Sequence, residues 1–386
     1  MSDRVIIRAP NHLGDLVMAL PALAAVPEAD VLVARGLAPL LELVPGFGPA
    51  AVDPVATGGG GAPGERSPAA AATGGCASGA PRGVERGAAA GGAAAAARRV
   101  IPLDRGARGA VAAAAALRRV GYARGVLLTP SFSSALVFAL GGVRERRGTA
   151  TDGRSALLTD RVPVGALAGL HRAAAYVALA TGRAPALPPV PRLTVPEALR
   201  TRWRAAAGVA GGPVIGIFPG GNASSRRWEP DRYAAVARRL AAGGARVVVF
   251  GGPAERALAA EVAGDVAVNM AGRTDLPLLA AGLEACDLLV TNDTGPLHLA
   301  AAVGTPTVSL WGAGDPAVTG PLGAGHVVLR RPDLPCAPCV KNVCRRRGRG
   351  YVLPEAEREC LRLIEVADVV AAASQSAHVE RETLDG

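Results

Sequence analysis

Lysine is nearly absent from this 386-residue chain: of its 42 basic residues, 41 are Arg and one is Lys341. A Walker A phosphate loop needs Gly-Lys-Ser or Gly-Lys-Thr, which does not occur, and a lysine Schiff base has a single candidate. Aromatic residues make up only 3%, so the core must be built from Ala, Val and Leu, which is adequate at this length. No apolar run reaches the roughly 18 to 20 residues that span a bilayer. The apolar start at residues 5–7 is soon followed by Arg8 and Asp15, and a soluble, cytoplasmic chain without a secretory signal is expected. Six Cys, four of them between Cys336 and Cys360, are too few and too clustered for the disulfide scaffold of a secreted domain. Asp-x-Asp occurs nowhere, so the carboxylate couple that commonly holds Mg²⁺ or Mn²⁺ on a nucleotide diphosphate is missing. H-E-x-x-H and G-x-S-x-G are missing too, which argues against a zincin or an α/β-hydrolase.

The formal charge is +10. Scarce base-stacking aromatics and basic residues dispersed along both halves argue against a nucleic-acid partner. The charge suits peripheral attraction to anionic lipid. Residues 57–99 contain 12 Gly and 15 Ala, with Val84 the only larger aliphatic residue. Such a segment cannot bury enough apolar area to offset its chain entropy, and a disordered insertion is expected. Its GxGxxG match at Gly59, Gly61 and Gly64 is discounted, because no strand precedes it and no helix follows.

Elsewhere short β-branched runs alternate with Ala/Leu-rich stretches. Parallel strands are expected at 5–8, 31–34, 125–129, 214–218, 246–250, 287–291 and 305–310, and helices at 16–26 and 111–120. Further helices are expected to start near Asp231, Ala254, Leu276 and Gly295. A Pro-rich crossing at 184–196 divides two α/β units, predicted as 1–185 and 186–375 with 376–386 as a tail. In open α/β sheets ligands sit at the carboxyl ends of the strands, so the residues just after them are the ones to examine.

The first strand is followed by Asn11, His12, Leu13, Gly14 and Asp15. Asp15 is the general-base candidate, with helix capping as its alternative, and His12 suits packing or orienting the loop. The opening strand of the second unit is followed by Gly220, Gly221, Asn222, Ala223, Ser224, Ser225, Arg226 and Arg227. Backbone N–H groups turned by small residues, next to two forked cations, suit a diphosphate; a surface turn is the alternative. Glu255, at a helix start, could accept from a ribose or simply complement the helix charge. Asp293, Thr294, Gly295 and His298 lie where a strand gives way to a helix, whose free N–H groups suit a phosphate or sugar oxygen. Cys336, Cys339, Cys344 and Cys360 could form a tetrahedral zinc site, or remain packed and partly exposed thiols.

These segments together resemble the lipopolysaccharide heptosyltransferases of glycosyltransferase family 9. The resemblance rests on residues 8–15 through Pro21, 220–228, 250–255, 271–274, 292–298 and Cys336-Ala337-Pro338-Cys339. It implies the α/β GT-B fold, two facing Rossmann-like domains with parallel sheets, the first taking the acceptor near Asn11 and His12 and the second the nucleotide sugar. It implies Asp15 as catalytic base, Arg226 on the diphosphate, and Asp293, Thr294, Gly295 and His298 around the phosphates and sugar. The implied donor is ADP-L-glycero-D-manno-heptose, and the implied acceptor is heptosyl-Kdo2-lipid A at the inner membrane face. Transfer would be inverting, with no cofactor and no catalytic metal. A GT-B epimerase acting on a nucleotide sugar is the competing enzyme reading. Three positions depart from the family pattern: His12 for Trp, Arg226 for Lys, and Glu229 interrupting Trp-Pro. Arg226 keeps the charge but presents a planar fork in place of a point charge.

Overall fold

The computed structural model describes residues 3–45, 47, 98–208, 211–331, 333–344 and 358–384, with side chains to 376. Twelve strands form two sheets of six. The first contains β1 (Val5–Arg8), β2 (Asp30–Ala34), β3 (Val100–Leu103), β4 (Arg124–Leu127), β5 (Glu145–Thr149) and β6 (Asp160–Val162). The second contains β7 (Val214–Phe218), β8 (Arg246–Val249), β9 (Ala267–Asn269), β10 (Leu288–Asn292), β11 (Thr307–Trp311) and β12 (His326–Arg330). Every pairing is parallel. The orders are β3-β2-β1-β4-β5-β6 and β12-β11-β10-β7-β8-β9. The second, read backwards, repeats the first, so both are doubly wound. Each reverses direction once, between β1 and β4 and between β7 and β10, and the crevice at such a reversal is where α/β sheets take ligands.

Parallel strands must be buried on both faces, and β-branched runs supply that. In β1, Val5 and Ile7 face one apolar layer and Ile6 the other. In β7 and β8 the same alternation splits Ile215, Ile217, Val247 and Val249 from Phe218 and Val248. The helices are α1 (Leu13–Ala24), α2 (Gly106–Val120), α3 (Phe132–Leu140), α4 (Arg172–Thr181), α5 (Glu197–Ala207) and α6 (Pro230–Ala242). They continue with α7 (Arg256–Ala263), α8 (Leu276–Glu284), α9 (Gly295–Val303), α10 (Pro316–Thr319), α11 (Glu359–Arg362) and α12 (Val366–Leu384). α2 and α3 cover one face of the first sheet, and α6, α7 and α12 cover one face of the second. The third and largest apolar layer lies between the sheets, where α1 packs on α4 and α9, and α8 on α5 and α9.

Two boundaries differ from the sequence reading. The tail predicted at 376–386 is helical as far as Leu384, because α12 starts at Val366 and buries Val369 and Ala373 against the second sheet's outer layer. The insertion predicted at 57–99 lies outside the described residues up to 97, and so does its GxGxxG match. Its last two residues are part of the fold. The Arg98 guanidinium donates to the carbonyls of Leu23, Val26 and Ala29, and the Arg99 N–H to Asp30. No helix among the described residues is long and apolar enough to cross a membrane.

Candidate active site

β1 delivers the chain to the start of α1, and β10 delivers it to the start of α9. The two helix N-termini meet. A Cβ built on Gly14 would lie 2.7 Å from His298 Cδ2, and one built on Gly295 would lie 2.9 Å from Leu13 Cβ and 3.2 Å from the Gly14 nitrogen. Only glycine at both positions lets the two backbones approach so closely. The unpaired N–H groups and positive dipole ends of two helices therefore converge on one place.

Asp15 lies in the first turn of α1 and is partly exposed. The Tyr176 hydroxyl on α4 donates to its Oδ1 at 3.1 Å, and burial together with the Asp15 charge holds that phenol well above the ordinary tyrosine range. The carboxylate is thus oriented by a partner that stays protonated. Asn11 and His12 are exposed at the head of the helix. Asn11 Oδ1 accepts from Arg8, whose buried guanidinium also donates to the Ala9 and Leu32 carbonyls. Burial lowers the Arg8 pKa to about 10, which leaves it cationic at neutral pH. His12 occupies the capping position of α1 without a side-chain cap bond.

Across the glycine contact, Asp293 is 4% exposed. Burial, reinforced by the nearby Asp15 charge and opposed by Arg226, pushes its pKa up to about 6. Arg226 Nη1 stands 3.1 Å from Asp293 Oδ2, an ion pair without hydrogen-bond alignment, and Arg226 Nε is buried without a partner. His298, one turn into α9, is driven down to about 3 by burial and by the positive charges around it, so it is neutral and packs against Gly14. Thr294 occupies the capping position of α9 without a side-chain cap bond, its hydroxyl 3.5 Å from that of Thr291.

The loop at residues 219–228 is clamped to β10. Asn292 Nδ2 donates to the Pro219 and Gly220 carbonyls, its Oδ1 accepts from the Trp228 N–H, and the Thr291 hydroxyl donates to Phe218. Glu255 accepts from the Gly221 N–H at 2.9 Å and the Gly252 N–H at 2.8 Å, and so ties the ends of β7 and β8 together. Glycine at 220 leaves room for this carboxylate, since a Cβ would lie 1.7 Å from Glu255 Oε1. Ser225 is buried and donates its hydroxyl hydrogen to the Lys341 carbonyl, which makes it an anchor of the loop. Arg227 and Asn222 are exposed, and Arg227 Nε donates to the Gly221 carbonyl.

Asp15, Arg226, Asp293, Thr294, Gly295 and His298 thus gather at one point, with Gly221 reaching Thr294 (a Cβ there would lie 3.0 Å from Thr294 Cγ2). Four contributors were not singled out in the sequence: Arg8, His171, Tyr176 and Asn292. His171 caps α4 and bonds the Gly320 carbonyl at 3.0 Å, which links α4 to the turn after α10, between β11 and β12. Arg8 and Asn292 stand inside quoted motifs, where a charged or amide residue ending a fully buried strand was the available signal. Tyr176 and His171 carried no such signal.

A family model described as glycosyltransferase family 9 (heptosyltransferase) matches residues 111–348. The chain belongs to that family. Among curated family relatives, lipopolysaccharide heptosyltransferase 2 of Escherichia coli strain K12 is 32% identical over 231 residues, 55% of this chain and 66% of that protein. Lipopolysaccharide heptosyltransferase 1 of Pseudomonas aeruginosa is 36% identical over 143 residues, 35% of this chain and 38% of that one. The chain therefore spans slightly less than two thirds of the first relative's length. The solved structure of E. coli ADP-heptose LPS heptosyltransferase II superposes with a TM-score of 0.72 at 23% identity, covering 98% of this chain and 99% of that one. A family 9 glycosyltransferase from Veillonella parvula gives 0.71 at 19%, covering 97% of each. The fold is GT-B, as the family resemblance implied.

Proposed function

We propose that the chain is an inverting, metal-independent transferase that moves L-glycero-D-manno-heptose from ADP-heptose to the heptosyl-Kdo2-lipid A inner core. Family membership supports a glycosyltransferase. The observation that carries the mechanism is the meeting of α1 and α9 through Gly14 and Gly295, which sets a carboxylate from one sheet beside an anion-seeking helix end from the other. In this reading residues 1–185 receive the acceptor and residues 186–375 the donor.

Asp15 takes the proton of the acceptor hydroxyl as that oxygen attacks the anomeric carbon. The bond from that carbon to the diphosphate breaks on the opposite face, and the electron pair leaves with ADP. Tyr176 holds one Asp15 oxygen, which leaves the other to accept the proton. Arg226 and the free N–H groups at Thr294 and Gly295 meet the charge that grows on the departing diphosphate. Gly221, Asn222, Ser225 and Arg227 shape the cradle, Asp293 and His298 border the sugar, and Glu255 lies nearest the ribose. Asn11 and His12 flank the acceptor. The protein would work in the cytoplasm, with peripheral contact at the inner membrane.

The test is the purified chain with ADP-heptose and a panel of truncated lipid A cores, read by mass spectrometry. One heptose added to the heptosyl-Kdo2 acceptor is expected. Failure to glycosylate any of them would overturn the proposal, and consumption of the donor without acceptor would point to an epimerase.

A further inference from the structure

One cavity next to the end of β11 is ringed by four thiols that the transfer reaction does not use: Cys336, Cys339, Cys344 and Cys360, with Ser225 and Gly312 on its wall. They come from a loop and from α11, and all four are free and partly exposed. Three local features shape the chain around sulfur. A Cβ at Gly312 would lie 2.7 Å from Cys360 Sγ, so glycine there leaves room for that atom. Cys344 Sγ accepts the Arg358 backbone N–H at 3.4 Å, the kind of outer bond that orients a thiolate ligand. Val340, directly after Cys336-x-x-Cys339, holds φ 50°, and Arg358, two residues before Cys360, holds φ 58°. A β-branched residue in the left-handed region costs about 1 to 3 kcal/mol and persists where the surroundings impose it, as at ligand clamps. Here the Val340 N–H is fixed by the Ala313 carbonyl at 2.7 Å.

We infer that Cys336, Cys339, Cys344 and Cys360 form a tetrathiolate site for a structural zinc ion, and that the ion fixes the loop carrying Ser225 and Arg226. The donor set is all sulfur, which disfavours Ca²⁺ and Mg²⁺ and suits a tetrahedral, borderline-soft cation. Among the described residues no group of three or more His, Cys, Asp or Glu side chains is already drawn to the spacing of a bound metal.

The link to the donor cradle is direct. Lys341 and Asn342, between Cys339 and Cys344, accept the hydroxyls of Ser225 and Ser224, and the Asn342 carbonyl also accepts the Ser225 N–H. Arg226 is the next residue. The effect on donor binding rests on the function proposed above, whereas the metal content does not.

The experiment is elemental analysis of the full-length chain purified under reducing conditions without chelator. About one zinc per chain is expected, falling below about a tenth in Cys339→Ser and Cys344→Ser and retained in Cys286→Ser, whose sulfur lies elsewhere. Cobalt substitution should give the sulfur-to-metal charge-transfer bands of a tetrathiolate. Iron in place of zinc would keep the site and overturn the choice of ion. Less than about a tenth of any transition metal per chain, with four thiols still reacting freely after zinc is added, would overturn the site. The parent protein decides this even if the variants fail to fold. Stripping the metal should weaken ADP binding about tenfold or more by calorimetry. Unchanged ADP affinity would overturn the role in fixing the loop while leaving the site intact.

Discussion

Asp15 and Asp293 face the same place from opposite sheets, and their surroundings separate them. Asp15 keeps solvent contact and a tyrosine donor, while Asp293 is buried beside a cation that does not fully offset the cost of burying its charge. Replacing Asp15 with Asn should lower turnover by about 10² to 10⁴-fold, the usual contribution of a general base, while calorimetry shows ADP still binding. Arg226→Ala should lose donor affinity as well as rate, and an unchanged donor Kd would remove it from the cradle. Asp293 gives a pH signature. Its pKa is raised on folding from 3.8 to about 6, so the native state binds the extra proton. Its contribution to stability is present below about pH 4 and is lost as pH rises through 6. Asp293→Asn should therefore raise Tm relative to the parent more at pH 7.5 than at pH 4.5. Equal gains at both pH values would show that the carboxyl titrates normally.

At the scale of elements, the contact between α1 and α9 is the sensitive one. Gly295→Ala places a methyl 2.9 Å from Leu13 Cβ and against the Gly14 backbone, which is not the movable end of a side chain. A cost of about 1 to 3 kcal/mol by urea denaturation is expected, with transfer rate falling further than stability alone accounts for. The central strands were legible in the sequence to within two residues, because β1, β7, β8, β10 and β11 must be apolar on both faces. The edges were not. β5 reads Glu-Arg-Arg-Gly-Thr and is a strand because its arginines reach out to carbonyls, Arg146 to Val143 and Leu157 and Arg147 to Leu179. No local pattern announces that. The site residues on strand-to-helix turns were legible because Gly, Asn, Asp and Thr there have few structural reasons to follow a buried strand. Tyr176 and His171 were not, since their part depends on α4 packing against α1 and bonding the Gly320 carbonyl from residues far away in the chain.

For the whole molecule, a charge of +10 with almost no lysine means cations that hold their charge at any working pH and bind carboxylate or phosphate as forks. Transfer to a lipid acceptor in anionic vesicles should fall steeply as salt rises, while transfer to a short soluble acceptor should change little. Equal salt sensitivity would place the effect at the donor site rather than at a membrane surface. The helices that lead off β1 and β10 touch through glycines, so under the proposed function a diphosphate lodged there would grip both halves of the protein at once. Nucleotide would then act as a rivet: part of its binding energy would be adhesion between the halves, and ADP should sharpen thermal melting as well as delay it.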